Sequence, residues 1–153
     1  DIDNPQAWEQ VFSPGDVGVI ASRADTLQAS RGRLYIGLAV PNAGARVYRS
    51  VTGNRFSWEP VVADGFGSAT TGRFISDASA ELDGVLYVAA MDEAQGVGIW
   101  GTVDGRSWMR VAPAGFGSAA TFAAELFPFN GRLYAWTSNY TVGQGVWRGE
   151  RRR

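Results

Sequence analysis

Short, almost continuous apolar runs alternate with glycine turns along the chain. Residues 33–39 (Arg-Leu-Tyr-Ile-Gly-Leu-Ala) and 85–90 (Val-Leu-Tyr-Val-Ala-Ala) are two such runs, and their length favours β-strands that are buried on both faces. A dipeptide typical of a tight hairpin precedes both of these runs and a third one that contains Leu133. The dipeptides are Arg31-Gly32, Asp83-Gly84 and Asn130-Gly131. Because glycine and proline interrupt every longer window, we expect no helix of three turns.

The same pattern occurs three times. A tryptophan opens each copy of a Trp-x-x-Val sequence, and these tryptophans are 50 residues apart: Trp8, Trp58 and Trp108. A Leu-Tyr pair follows in every copy, and 14 residues beyond each of these leucines lies an aromatic residue: Tyr48, Trp100 and Trp147. Self-similarity at a fixed period indicates a repeat architecture. The sequence therefore predicts one domain, residues 1–153, built from repeat units 8–57, 58–107 and 108–150.

Each unit is predicted to supply four strands. In chain order these are an inner strand (residues 74–76 and 123–127 in the last two units), the Leu-Tyr strand, a strand beginning at Gly98 or Gly145, and the Trp-x-x-Val strand. Such units close as a β-trefoil or as a β-propeller, whose blades are four-stranded sheets around an axis. Strands buried on both faces favour an all-β propeller, because each blade is packed between two others.

One turn carries a family resemblance. Residues 102–108 (Thr-Val-Asp-Gly-Arg-Ser-Trp) resemble a shortened Asp-box, the Ser-x-Asp-x-Gly-x-x-Trp turn of sialidase-like propeller blades, and residues 50–58 are a looser copy without the aspartate. The whole repeat is similar to those of bacterial propeller proteins. The resemblance implies a propeller fold in which Asp104 is a turn residue on the blade exterior. It implies little about activity.

Three blades are too few for a ring, since propellers have at least four. The third unit lacks a Trp-x-x-Val strand, and the first unit begins with one, at residues 8–11. We therefore expect the Trp8–Val11 strand of each chain to complete the last blade of a second copy, giving a six-bladed homodimer. The alternatives are a piece of a longer propeller and a monomeric trefoil.

Composition excludes several kinds of chemistry. All 14 basic residues are arginine, and the chain has no cysteine, histidine or lysine. This excludes a disulfide framework, a Cys/His zinc site, a thiol nucleophile, a histidine-based triad and a Schiff-base lysine. We expect no cofactor and no metal site.

Charge and leader signals bear on partners and location. The net charge of -1 argues against a nucleic-acid partner, and no apolar stretch approaches the ~20 residues that span a bilayer. The chain begins at Asp1 without a leader, as expected of a processed or excised product. We expect an extracellular or cell-surface protein.

The propeller interpretation implies a ligand face, formed by the loops that enter the inner strands and those that follow the second strands. These loops carry aromatic, amide and carboxylate side chains, a combination suited to sugars: Asn42, Phe66, Asp92, Glu93, Phe116, Asn139 and Tyr140. For Phe66 and Phe116 the alternative is packing between blades, beneath their Gly-Phe-Gly turns. The first unit has no phenylalanine at this position.

Two carboxylates, Asp77 and Glu125, are predicted on inner strands, where they face a central channel as an acid/base pair, a cation site or solvated groups. The function expected from these features is non-enzymatic carbohydrate binding by a lectin-like module. The alternatives are a fragment of a sialidase-like glycoside hydrolase and a self-assembling element without a ligand.

Overall fold

Eleven strands form three antiparallel sheets in the computed structural model, which describes residues 4–21 and 23–150, and the side chains of these except Pro5 and residues 73–77. The first sheet contains β1 (Arg23–Ser30), β2 (Arg33–Val40), β3 (Gly44–Ser50) and β4 (Glu59–Val62). The second contains β5 (Thr71–Leu82), β6 (Val85–Asp92), β7 (Gly96–Thr102) and β8 (Met109–Arg110), and the third β9 (Thr121–Phe129), β10 (Arg132–Asn139) and β11 (Gly143–Gly149). In the described part of the chain, three short 3-10 helices span Pro5–Ala7, Pro14–Val17 and Ala114–Gly117.

The predicted hairpin dipeptides join the first and second strands of every sheet. Both residues of each pair have positive φ, for example 48° at Asn130 and 69° at Gly131. This is the backbone of a type I′ turn, whose twist matches that of the flanking strands. The hairpins expected at these three places are therefore confirmed.

The three sheets pack face to face as propeller blades. Their inner strands, β1, β5 and β9, lie side by side, and one core cluster includes residues of all three sheets, with Val47, Leu86 and Leu126 among them. Strand β7 is buried along its whole length, as a strand of a middle blade must be. The propeller-type fold is thereby confirmed, and the trefoil alternative is wrong. The inner strand of the first blade, β1, was not located from the sequence.

The N-terminal segment covers the outer face of the first blade. Phe12 packs edge-on against Trp58, with ring centroids 5.1 Å apart, and lies 6.3 Å from Tyr48. Val17 and Val19 join the same cluster. Although the first unit lacks a phenylalanine in the expected place, Phe12 supplies the ring from another position in the chain.

The first and last units differ from the middle one. The third sheet has three strands among the described residues, and residues 8–13 have no regular secondary structure. The strand expected at residues 8–11 is thus not formed within one chain, since a strand needs a neighbour to pair with. None of the helices among the described residues has the length and apolar character needed to cross a membrane.

The turn between β7 and β8 is organised by Asp104. Its Oδ1 accepts hydrogen bonds from the amides of Arg106 and Ser107, both at 2.7 Å, and from the hydroxyl of Thr102 at 3.0 Å. The backbone amides, Arg106 first, hold the pKa of Asp104 well below its usual range. In the first blade Thr52 has the corresponding place, and its hydroxyl accepts from the amide of Asn54 at 3.2 Å.

Replacing Leu86 tests the shared core. Its side chain is 1% exposed and lies in the cluster that joins the three sheets. We expect Leu86→Ala to lower the free energy of unfolding by about 2–5 kcal/mol, through lost burial and the cavity left behind. Val103→Ala, at a side chain that is 57% exposed, is the control and is expected to change stability by less than about 0.5 kcal/mol. Equal effects in urea titrations would contradict this packing.

Replacing Asp104 tests the turn through its dependence on pH. Because the folded-state pKa is lowered, the carboxylate stabilises the fold above its unfolded pKa of about 4, and this contribution is lost as the pH falls through the folded pKa. We expect Asp104→Ala to be less stable than the wild type at neutral pH, and the difference to shrink on acidification. Asp64→Ala, at an exposed loop carboxylate, serves as the control. A difference that is independent of pH would contradict the assignment.

Candidate functional site

A groove lies where the first and second blades meet, on the face formed by the predicted ligand loops. It has a volume of about 470 Å³, within the range of about 300–1,000 Å³ usual for small-molecule sites. The lining residues come from three loops and the strand ends beside them: Val40, Pro41, Asn42, Ala69, Thr70, Gly72, Met91 and Glu93. The structure therefore brings together two of the residues singled out from the sequence, Asn42 and Glu93.

Close backbone contact fixes the two blades at this junction. Gly44 has a φ of 79°, and a Cβ added to it would lie 3.0 Å from the backbone of Gly65. The amide of Gly65 donates to the carbonyl of Ala45 across the junction at 3.0 Å. Glycine at both positions thus allows the first blade to approach the loop that enters the second.

Asp92 lies beneath the groove and holds its loops together. Its Oδ2 accepts from the hydroxyls of Ser68 (2.8 Å), Thr70 (2.9 Å) and Thr71 (3.2 Å). Its Oδ1 accepts from the amides of Ala94 and Gln95. Burial alone raises the pKa of Asp92, but the bonds from Ser68, Thr70 and the amides outweigh it and leave the pKa below its ordinary value.

The arrangement around Asp92 assigns it a positioning role. The side chain is buried, and five donors occupy both of its oxygens. Thr70 donates its proton to Asp92 and lies 2.8 Å from the hydroxyl of Ser68, so its oxygen keeps an acceptor lone pair at the groove. Thr70 was missed in the sequence, where a threonine in a loop has no distinguishing signal.

Asn139 repeats this role in the third blade. Its amide nitrogen donates to the hydroxyl of Thr121 at 2.9 Å, and its Oδ1 accepts from the amides of Thr141 and Val142. Val40 has the corresponding position in the first blade, since each of these residues pairs with the first residue of the third strand. Polar side chains that looked suited to a ligand therefore shape the turns in two of the three blades.

Tyr140 offers an exposed aromatic face next to Asn139. The ring is 71% exposed and stacks on Phe122, with centroids 4.0 Å apart and planes inclined by 21°. Its amide donates to the carbonyl of Ala120, just as the amide of Glu93 donates to the carbonyl of Thr70. Tyr140 and Glu93 thus have equivalent places on adjacent blades. Phe122 was missed, because it gives no signal apart from its contact with Tyr140.

The two loop phenylalanines pack between blades. Phe66 stacks on Trp100 at 4.5 Å and meets the edge of Trp108 at 5.5 Å. Phe116 lies 5.0 Å from the ring of Trp147. Both are partly buried against the shared core. Both rings therefore pack between blades, which is the alternative that the sequence offered for them.

The structure describes the side chain of one of the two inner-strand carboxylates. Glu125 lies on β9 opposite Trp136 and is half-buried. The corresponding part of β5 contains a register irregularity between Phe74 and Ser79, and the side chain of Asp77, within that segment, lies outside those described. The expectation that the two carboxylates face a channel, as an acid/base pair, a cation site or solvated groups, therefore stays a prediction.

Comparison with known proteins gives similarity at the level of the fold. No family model and no curated protein matches the chain. Among solved structures, a Trypanosoma rangeli sialidase in complex with sialic acid is similar over 78% of this chain and 21% of its own, with a TM-score of 0.58 and 14% sequence identity.

Two family-43 glycoside hydrolases are also similar. For an α-L-arabinofuranosidase from Clostridium thermocellum the TM-score is 0.52 and the identity 13%, over 90% of this chain and 55% of that one. For a thermostable family-43 enzyme the values are 0.54 and 14%, over 88% and 50%. This chain thus spans between a fifth and about half of the proteins that it resembles. The shared fold is that of propeller glycoside hydrolases.

Proposed function

We propose that this protein is a non-enzymatic, lectin-like propeller module that binds carbohydrate on the face containing the groove. The observation that carries the proposal is the composition of the groove wall. Asn42, Thr70 and Glu93 supply an amide, a hydroxyl and a carboxylate, while Pro41 and Met91 supply apolar surface. A sugar presents hydroxyls at its rim and C–H groups on its faces, and this wall has partners for both.

A second contact on the same face supports the proposal. The exposed ring of Tyr140, backed by Phe122, forms a flat platform at the place that corresponds to Glu93. Aromatic faces pack well against the C–H side of a sugar because they are large, apolar and rigid. A polar groove and an aromatic platform on adjacent blades suit two weak contacts with one extended glycan, and linked contacts of this kind add in avidity.

The number and environment of the carboxylates at the groove favour binding over hydrolysis. A retaining or inverting glycosidase uses two carboxyl groups that flank the scissile bond. Of the described residues that line the groove, Glu93 alone has a carboxylate. The neighbouring Asp92 is buried and fully engaged by hydrogen bonds. This arrangement provides an acceptor for sugar hydroxyls without a partner for acid/base chemistry.

The fold and the repeat fit this proposal. The sialidase neighbour holds sialic acid, and the second neighbour is named as an arabinofuranosidase, so propellers of this kind accommodate sugars. The turn around Asp104 is consistent with a degenerate Asp-box, in which the aspartate bonds backbone amides. An extracellular or cell-surface location would give such a module access to glycans.

Binding to a glycan array, followed by titration of the best ligand, tests the proposal. We expect Glu93→Gln and Asn42→Ala to weaken binding about tenfold, because the first replaces a charged acceptor with a neutral one and the second removes an amide that bonds the sugar. We expect Tyr140→Ala to weaken it several-fold through lost stacking. Asp64→Asn, a charge change at an exposed carboxylate that does not line the groove, is the matched control and should bind as the wild type does.

A panel of fluorogenic glycosides distinguishes the alternatives. The proposal expects binding without turnover. Turnover that is abolished by Glu125→Gln would support the glycoside hydrolase instead. A protein that shows neither binding nor turnover would support the self-assembling element without a ligand. Unchanged binding in all three groove and platform variants would place the sugar elsewhere on the molecule.

A further inference from the structure

The third strand of the last blade is exposed where its counterparts are buried. Val146 is 74% exposed, whereas Val47 and Ile99, at the same register position in the other blades, are 1% and 3% exposed. Strand β11 has β10 on one side and no partner strand among the described residues on the other. Its outer edge therefore presents backbone groups that can receive another strand.

An apolar cavity lies between the second and third blades, next to β11. It has a volume of about 400 Å³, and its lining includes Tyr87, Ile99, Ala112, Phe116, Leu133 and Trp147. Tyr87 and Ile99 belong to the second blade, and Leu133 and Trp147 to the third. The linker that joins the blades supplies Ala112 and Phe116.

An indole has the corresponding place at the other junction and on the outer face of the first blade. Between the first and second blades, Trp108 meets the edge of Phe66 at 5.5 Å with an interplanar angle of 75°. On the outer face of the first blade, Trp58 meets the edge of Phe12 at 5.1 Å and 68°. Phe116 is the ring equivalent to Phe66, and it lines the cavity. The cavity is thus the third position for a tryptophan from a Trp-x-x-Val strand.

Charges on the two sides are complementary as well. In the first blade, Arg49 on β3 pairs with Glu59 on β4, with Nε and Oε1 2.6 Å apart. Arg148 has the register position of Arg49, since each lies opposite the tyrosine of its Leu-Tyr pair. Glu9 follows Trp8 just as Glu59 follows Trp58. Arg148 and Glu9 therefore have the positions of the pair that joins β3 to β4. Within one chain Arg148 pairs with Glu150, at 2.8 Å, and Glu9 of a second copy would take the place of Glu150.

The N-terminal segment already packs on the outer face of the first blade, which is the face that a second copy would meet. In the first blade, the residues after Trp8 run over the outer face, where Phe12 packs against Trp58 and Val11 accepts a hydrogen bond from the Trp58 indole at 3.1 Å. Trp8 itself is 74% exposed. Because this segment lies on the face of the first blade that is turned away from the second, a strand that reaches the cavity between the last two blades must come from elsewhere.

We propose that residues 8–11 of a second copy add to β11 as the fourth strand of the last blade. Trp8 of that copy fills the cavity against Phe116, and its Glu9 pairs with Arg148. The reciprocal contact joins the two chains a second time, so that six sheets form one ring. This is recognition by strand addition, in which the backbone supplies affinity and the anchoring side chain and charge pair supply specificity.

Light scattering after size-exclusion chromatography tests the proposal on the full chain. The wild type is expected at twice the chain mass of 16.4 kDa. We expect Glu9→Arg and Arg148→Glu each to raise the dissociation constant about a hundredfold or more, because like charges then face each other at the junction. The double variant, with both charges exchanged, should return to the mass of the dimer. Trp8→Ala should be monomeric.

The controls separate association from folding. Asp64→Arg makes the same kind of charge reversal at an exposed carboxylate that does not line the cavity beside β11, and this variant should remain dimeric. Circular dichroism should show the same β signal in all variants, since Glu9 and Arg148 are exposed. A monomeric wild type would overturn the proposal, and so would single charge reversals that leave the dimer intact or a double variant that fails to restore it.

Discussion

Each blade of this protein has two apolar faces, and the burial of both is the constraint on which the structure depends. The middle blade meets it through its neighbours, so β7 is buried from end to end. The first blade meets it by folding the N-terminal segment across its outer face, with Phe12, Val17 and Val19 in the contact. The last blade leaves Val146 and Trp147 exposed. The differences among the three copies follow from what covers each face.

Hydrogen bonding of the turns is a second constraint, because the backbone amides at the blade ends need acceptors. Asp92, Asn139 and Asp104 supply them, and each accepts from two backbone amides of its own turn. Short polar side chains at turns therefore serve the fold first. The groups left for a ligand lie one residue or more further along the loop, as Glu93 and Tyr140 do.

Much of the fold could be predicted from the sequence, because hairpins and repeats are encoded locally. Asn130-Gly131 specifies its turn by backbone preference alone, and the period of the tryptophans specifies three similar sheets. The strand β1 was missed, because its half-exposed residues show no apolar run. The roles of Asp92 and Phe122 were missed for another reason. Both depend on contacts across loops, which a linear sequence does not contain.

The side chains between the blades also change in volume from the axis outward. Alanines pack between sheets on or beside the inner strands, among them Ala78, Ala90, Ala124 and Ala135, whereas tryptophan and phenylalanine rings occupy the outer part of each junction. Small groups near the axis let the sheets approach, and large rings at the rim hold them apart, so each junction is a wedge. The angle of that wedge sets how many blades complete a full turn. If copies of this chain associate through the last blade, side-chain volume at a few repeated positions determines whether they close on themselves or continue as an open spiral.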